Sequence, residues 1–246
     1  LCRAGFLRAS GHGATRGGRQ AHNAPMDPFA SPLPLFPLQT VLFPGGVLPL
    51  KIFEVRYLDL IGRCHREGTP FGIVTLSQGQ EVRTAQSADE VFFDVGTLAT
   101  VTRFERPQPG LLQIECLGGQ RFRVKASQRL GHGLWVATEA EPLPDDPPAH
   151  IPDEQMHLVR MLEQVARGMK SAEGRGMDEL WQPPHRWDDA GWVANRWCEL
   201  LPVKVELRQR CMALNHPVLR LELVDDMLER LGVRLPGAAP QAGDQG

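Results

Sequence analysis

The chain has 246 residues, 42% of them apolar and 23% charged, with a formal net charge of −2. That length and composition suit one large or two small globular units, and the balanced charge argues against a strongly basic nucleic-acid binder. No apolar run approaches the length that a membrane-spanning helix needs.

Residues 1–25, LCRAGFLRASGHGATRGGRQAHNAP, hold four arginines and no acidic residue. An upstream extension with Met26 as the natural start and an organelle transit peptide both have this composition. The first reading is adopted, and residues 1–30 are expected to be a disordered extension outside the fold. The stretch LPLFPLQTVLFPGGVLPLKIFEVRY (33–57) is apolar yet interrupted by Pro34, Pro37, Pro44 and Pro49. Proline lacks a backbone donor and is tolerated at strand starts and edges. Residues 33–38 and 47–53 are therefore predicted to be short edge strands, joined through the turn residues Pro44-Gly45-Gly46.

Over residues 54–66 the period turns helical, with Tyr57, Leu58, Ile61 and Cys64 on one stripe and Gly68 as the stop. Strands are then predicted over 70–76, 91–105, 110–118, 120–130 and 132–142. In 120–130, Phe122, Val124 and Ala126 alternate with Arg121, Arg123 and Lys125. Short strands at regular spacing with a single helix predict a closed or nearly closed antiparallel barrel. Residues 142–152, PLPDDPPAHIP, read as a proline-rich linker.

Beyond it the period is helical throughout. Asp153 is expected to cap a helix carrying Met156, Val159, Leu162, Val165, Ala166 and Met169. A Gly/Pro-rich loop (171–187) follows. Asp188 or Asp189 then caps a helix with Val193, Trp197 and Leu200 on one face. A third helix covers 203–214. Asn215 is expected to cap a fourth, with Pro217 in its first turn and Leu221, Val224 and Leu228 as its stripe. The predicted organisation is α+β: a disordered extension (1–30), a β-barrel (31–142), a linker (143–152), a helical bundle (153–231) and a disordered tail (232–246).

Motifs that carry chemistry are missing. None of the four lysines, Lys51, Lys125, Lys170 and Lys204, stands in a phosphate-binding Gly-rich context. GHGATRGG (11–18) has Arg16 where a dinucleotide motif needs its third glycine. The histidines and cysteines show no zinc spacing; His157 lacks an i+4 partner, and His65 is explained by a helix C-terminus. No Gly-x-Ser-x-Gly elbow occurs. The pairs Asp145-Asp146, Asp188-Asp189 and Asp225-Asp226 are adjacent, so on a helix they do not share a face. Cys2, Cys64, Cys116, Cys198 and Cys211 are odd in number and far apart, the pattern of buried reduced thiols in a cytoplasmic protein. No catalytic residue, cofactor or metal site is assigned.

Several words nevertheless resemble one family. PLFPLQTVLFPGGVLPLKIFEVRY, FGIVTL (71–76), VGTLATVTRFE (95–105), LGGQRFRV (117–124), WVANRWCELLPV (192–203) and HPVLRLELVDDML (216–228) are similar, in that order, to the Lon protease N-terminal substrate-binding domain. The likeness covers about residues 32–230 and extends to stand-alone bacterial proteins that hold only this domain. Val55 stands where the usual Phe-Glu-Pro-Arg-Tyr word has proline; Phe53, Glu54, Arg56 and Tyr57 are as expected.

The resemblance implies a PUA-like pseudo-barrel followed by a helical bundle, without the ATPase and Ser-Lys protease segments of full-length Lon. It also implies a non-catalytic module whose partners are unfolded or degradation-bound polypeptides, with a protease as a further partner and with neither DNA nor membrane. An exposed apolar edge would serve such binding. The candidates are Phe36, Phe43, Pro44 and Phe53 on the proline-broken edge and Trp181 and Trp187 in the loop. Core packing is the competing explanation for the phenylalanines. RNA binding is the alternative by analogy to other PUA-like folds. It would use a strip formed by Arg103, Arg106, Arg121, Arg123, Lys125 and Arg129, and it is disfavoured by the overall charge and the single tyrosine.

Overall fold

The structure, a computed structural model, describes residues 27–29, 32–79, 90–173 and 181–233. The expectations for residues 1–26, Cys2 among them, for residues 174–180 of the 171–187 loop and for the tail beyond 233 lie outside these residues; of the expected extension, Phe29 is described and packs against Phe122 with ring centroids 6.3 Å apart. Six strands form one sheet: β1 (Leu33–Leu38), β2 (Val47–Ile52), β3 (Phe71–Gln78), β4 (Val91–Gln108), β5 (Leu111–Arg129) and β6 (Trp135–Pro142). Their order is β2-β5-β4-β3-β1-β6, and β6 pairs again with β5, so five strands close into a barrel with β2 attached outside.

Closure rests on the length of β5. Its first half pairs with β2 (Leu112 to Leu117) and its second half with β6 (Phe122 to Arg129). Register shifts along the β4–β5 ladder mark bulges that bend these long strands.

Two expectations need correction. The barrel is not wholly antiparallel, because β1 and β3 run parallel, with Leu35 opposite Gly72. A parallel pair needs a crossover, and β2 with helix α1 (Val55–Glu67) supplies it. Nor is β1 an edge strand, since β3 and β6 flank it. Its prolines are tolerated by stagger. Pro34 precedes the β3 register, which starts at Leu35, and Pro37 lies beyond the β6 register, which ends at Leu35. Each proline thus has one partner strand. Only β2, with Pro49, is the predicted edge.

Residues 110–118 and 120–130 form one strand, not two. Gly118 is there for close approach rather than for a turn. Its N–H donates to Gly46 O at 2.9 Å, its carbonyl accepts from Gly45 N at 2.8 Å, and a Cβ would collide with the Phe43 carbonyl.

Helix α1 buries Tyr57, Leu60, Ile61 and Cys64 on the sheet and ends at Gly68, whose φ of 65° is left-handed. After a single 3-10 turn (Asp153–Gln155) come α2 (Met156–Glu173), α3 (Ala190–Leu200), α4 (Val205–Ala213) and α5 (Pro217–Arg230). Asp189 caps α3 by accepting from Trp192 N at 2.7 Å. The expected caps Asp153 and Asn215 do not act. Asp153 opens the 3-10 turn, and the ring of His216, one residue on from Asn215, accepts from Leu219 N at 3.2 Å.

Residues 143–152 are not a free spacer. Leu143 and Ile151 are buried in the helical core, and Ala149 O accepts from Ala190 N at 2.8 Å. That core also takes in Val41, Phe43 and Val95 from the barrel. Buried polar bonds cross the same seam: Thr75 Oγ1 donates to Gln209 Oε1 at 2.7 Å, and Gln209 Nε2 donates to Val95 O at 2.8 Å.

Candidate functional site

Two concave regions gather the candidate residues. The first lies where β2 runs into α1. Ile52 ends the strand with its side chain inward, so alternation sends Phe53 outward. Phe53 is 56% exposed and Val55, at the first turn of α1, is 73% exposed. Beneath them is a cleft of about 70 Å³ lined by Phe36, Leu38, Leu50, Ile52 and Tyr57. Its floor is the Phe36–Tyr57 stack, with ring centroids 4.1 Å apart.

Arg56 fixes this corner. Its guanidinium lies 4.6 Å from the Tyr57 ring centroid, and it donates to Gly133 O at 2.7 Å, Glu90 Oε1 at 2.9 Å and Glu54 Oε2 at 2.7 Å. Burial pulls the Arg56 pKa down, but hydrogen bonds to Glu90 and Glu54 carry it above its ordinary value. Arg56 and Tyr57 thus tie helix to barrel, while Phe53 and Val55 face solvent. Among the described residues, β2 has a partner strand on one side only, its outer edge being touched at Gly46 by an isolated bridge to Trp181.

The second region is the seam between barrel and helices. A cavity of about 410 Å³ opens there, with Pro44, Gly119, Arg121, Asp146, Trp192 and Asn195 among its walls. Three buried arginines stitch the seam. Arg121, 3% exposed on β5, donates to Met212 O at 2.9 Å and Leu214 O at 2.8 Å. Arg220 on α5 donates to Cys211 O at 2.8 Å and Asn195 Oδ1 at 2.9 Å. Asp146 lies between them, 3.1 Å from Arg121 and 2.5 Å from Arg220. Arg196 on α3 reaches Gly45 O at 2.7 Å and Pro44 O at 3.0 Å and pairs with Glu199. Burial lowers the pKa of Arg121 and Arg196 and pushes Glu199 up to about 7.

The six candidates therefore separate. Phe36 and Phe53 share the β2–α1 cleft, Phe36 as buried floor and Phe53 as exposed lip. Phe43 is fully buried in the helical core and offers no surface, because the Val41–Phe43 segment plugs the barrel end against the helices. Pro44 lines the seam cavity. Trp181 is also core, 3% exposed, and packs edge-on against Trp187 and Trp192. Trp187 is half-buried in the same cluster, 4.8 Å from Trp192.

The arginine strip is broken up. Arg121 faces inward because the helices cover that end of the sheet. Arg123 pairs with Asp94, Lys125 with Glu141 and Arg103 with Glu105. Sequence reasoning missed Arg196, Arg220 and Asn195; the signal was there in charged and polar residues on the apolar stripes of α3 and α5. Cys64, Cys116, Cys198 and Cys211 are buried free thiols, and burial pushes Cys116 up to about 12. Among the described residues no cluster of His, Cys, Asp or Glu has metal-holding geometry, and no helix is long and apolar enough to cross a membrane.

A model of the substrate-binding domain of ATP-dependent protease La (LON) matches residues 32–230. Lon protease 2 of Myxococcus xanthus is 32% identical over 93 residues, 37% of this chain and 11% of that protein. Lon protease of Koribacter versatilis is 29% identical over 141 residues, 56% of this chain and 17% of that protein. The chain thus spans only 11% and 17% of the length of these curated relatives. The crystal structure of a Lon N-terminal domain protein from Xanthomonas campestris superposes with a TM-score of 0.60 at 30% identity, covering 80% of this chain and 98% of that one. The N-terminal domain of a Mycobacterium avium complex Lon protease shares the fold, with a TM-score of 0.50 at 14% identity and coverage of 81% and 98%.

Proposed function

The chain belongs to the ATP-dependent protease La (LON) substrate-binding domain family, and from that premise we propose that it is a non-catalytic module that binds unfolded or degradation-bound polypeptide in the cytoplasm. The observation that carries this reading is the Phe53–Val55 lip above the Phe36–Tyr57 floor, set beside β2, which among the described residues has a partner strand on one side only. An extended segment laid along β2 would gain main-chain hydrogen bonds from the edge and apolar burial from the lip. Four buried thiols without a disulfide suit a reducing compartment. Pairing of Arg103, Arg123 and Lys125 with acids and burial of Arg121 leave only Arg106 and Arg129 of the arginine strip without an acidic partner among the described residues, which disfavours RNA.

The test is fluorescence anisotropy with dye-labelled α-lactalbumin held unfolded by reduction and carboxymethylation. Covering Phe53 and Val55 is worth about 1.5 kcal/mol or more if half of each exposed side chain is buried. The double change Phe53→Ser with Val55→Ser should therefore weaken binding about tenfold. Unchanged affinity in a variant with unchanged thermal stability sinks the assignment of the lip.

A further inference from the structure

The seam cavity holds polar groups that the fold leaves unused. Asn195 is 5% exposed, and its Oδ1 is taken by Arg220 at 2.9 Å. Its amide nitrogen has no partner among the described residues, and Asn195 lines the cavity. Trp192, also 5% exposed, lines it too, and its indole N–H likewise has no partner among the described residues. Gly191 N–H, in the first turn of α3, makes no bond within the described residues, and Arg186, exposed on the same wall, has no ion-pair partner among them. Asn195 Nδ2, the Trp192 indole N–H and Gly191 N–H are thus donors without a partner among the described residues, at the end of a helix whose dipole favours negative charge.

The acids nearby do not reverse this polarity. Asp146 has both oxygens on Arg121 and Arg220. Asp189 caps α3 through Trp192 N. Among the described residues neither Asp189 nor Asp145 has an ion-pair partner, and Asp145 is solvent-exposed.

From this geometry we infer that the seam cavity captures a carboxylate, the C-terminal end of a polypeptide. The carboxylate sits on Asn195 Nδ2 and the α3 N-terminus, with Arg186 over the mouth and Trp192 beside the last side chain. A volume of about 410 Å³ is in the range of small-ligand sites. The inference rests on the polypeptide-binding reading but uses a different site from the Phe53–Val55 lip, so the two can fail separately.

The experiment is anisotropy with dye-labelled Gly-Ser-Gly-Ala-Leu carrying a free carboxylate, the same peptide as its C-terminal amide, and inorganic phosphate as competitor. The free acid should bind and the amide should bind at least about tenfold more weakly, the usual worth of a charge-assisted hydrogen bond. Arg186→Gln, which breaks no bond among the described residues, should weaken the acid about tenfold. Asp145→Asn should tighten it by roughly two- to fivefold through removal of a like charge. Asn195→Leu should abolish the preference for acid over amide; its melting curve shows whether Arg220 tolerates the change, and Arg186→Gln decides the matter if it does not.

Equal binding of acid and amide overturns the inference, as does no binding of either, or weakening by Asp145→Asn. Displacement by phosphate as effectively as by unlabelled acid peptide also overturns it, since that marks an indiscriminate anion site. Loss of unfolded α-lactalbumin in the Phe53/Val55 variant with peptide capture intact supports both readings. Loss of peptide capture alone in Arg186→Gln supports this one, and peptide failure with retained α-lactalbumin binding overturns only this one.

Discussion

Arg220→Met tests whether buried charge holds the two halves together. Arg220 is 1% exposed and donates to Cys211 O, Leu214 O, Asn195 Oδ1 and both oxygens of Asp146. Methionine keeps much of the apolar stem and removes every donor. Breaking a buried ion pair by deleting one partner typically costs about 3–5 kcal/mol. Asp146 keeps Arg121 at 3.1 Å, Leu214 O keeps Arg121 at 2.8 Å and Cys211 O keeps Leu214 N at 3.3 Å, so the lower end, about 3 kcal/mol, applies. With a urea slope of about 2 kcal/mol per molar, the unfolding midpoint should fall by roughly 1.5 M. The control is Arg123→Met, whose pair with Asp94 is 34% and 57% exposed; it should cost less than about 0.5 kcal/mol. Equal midpoints for the two variants would refute the view that the arginine network carries the seam.

Three further outcomes follow from burial and contact. Phe43→Ala should lose about 3–5 kcal/mol because Phe43 is fully buried, whereas Phe53→Ala should stay within about 0.5 kcal/mol; urea titration of both variants checks this. Gly118→Ala drives a methyl into the Phe43 carbonyl and should cost about 2 kcal/mol or more, seen as a fall in Tm, while Gly131→Ala, with open space around it, should not. Glu199 is raised by burial from an ordinary 4.5 to about 7. Between those values the unfolded chain has released the proton and the folded one still holds it, so this group's contribution to stability falls as pH rises through 4.5–7 and is flat above. The stability difference between wild type and Glu199→Gln should change across that window; a constant difference from pH 4.5 to 7.5 contradicts the assignment.

Local pattern carried much of the fold. The 54–66 period located α1 to within a residue at each end, and the short β-branched runs located the described strands, though they split β5 in two. What pattern could not show is which second face a distant segment covers. Arg121 alternates correctly with Phe122, yet its side of the sheet is roofed by α4, so a residue read as solvated is 3% exposed. Packing in the helical core likewise turned Phe43 and Trp181 from surface candidates into core, Trp181 against Trp187 and Trp192. Gly118-Gly119 looked like a strand boundary because glycine in a strand marks either a break or a close approach, and only the Pro44–Gly46 turn lying against it decides which. At the site, Phe53 stood among the candidates on the proline-broken edge, but core packing competed for it, and its exposure beside the inward Ile52 is visible only in the structure. Asn195 and Arg186 were not legible, since their roles depend on a seam between parts of the chain far apart in sequence.

The seam also explains why its ties are arginines. Helix α4 ends by presenting carbonyls, among them Met212 and Leu214, that no intrahelical donor reaches. The Pro44-Gly45 turn presents two more. Closing the barrel against these ends buries acceptors, which is costly unless donors are supplied. Lysine carries a compact charge, whereas guanidinium spreads five donors in a plane. Arg121 uses that fork to bond three carbonyls, Met212, Leu214 and Pro144, and Arg196 to bond two, each keeping an acidic partner. The cavity beside them is therefore walled by groups already ordered in the folded chain. A polypeptide end entering it displaces water from fixed donors and orders little protein, so even a short peptide can bind measurably.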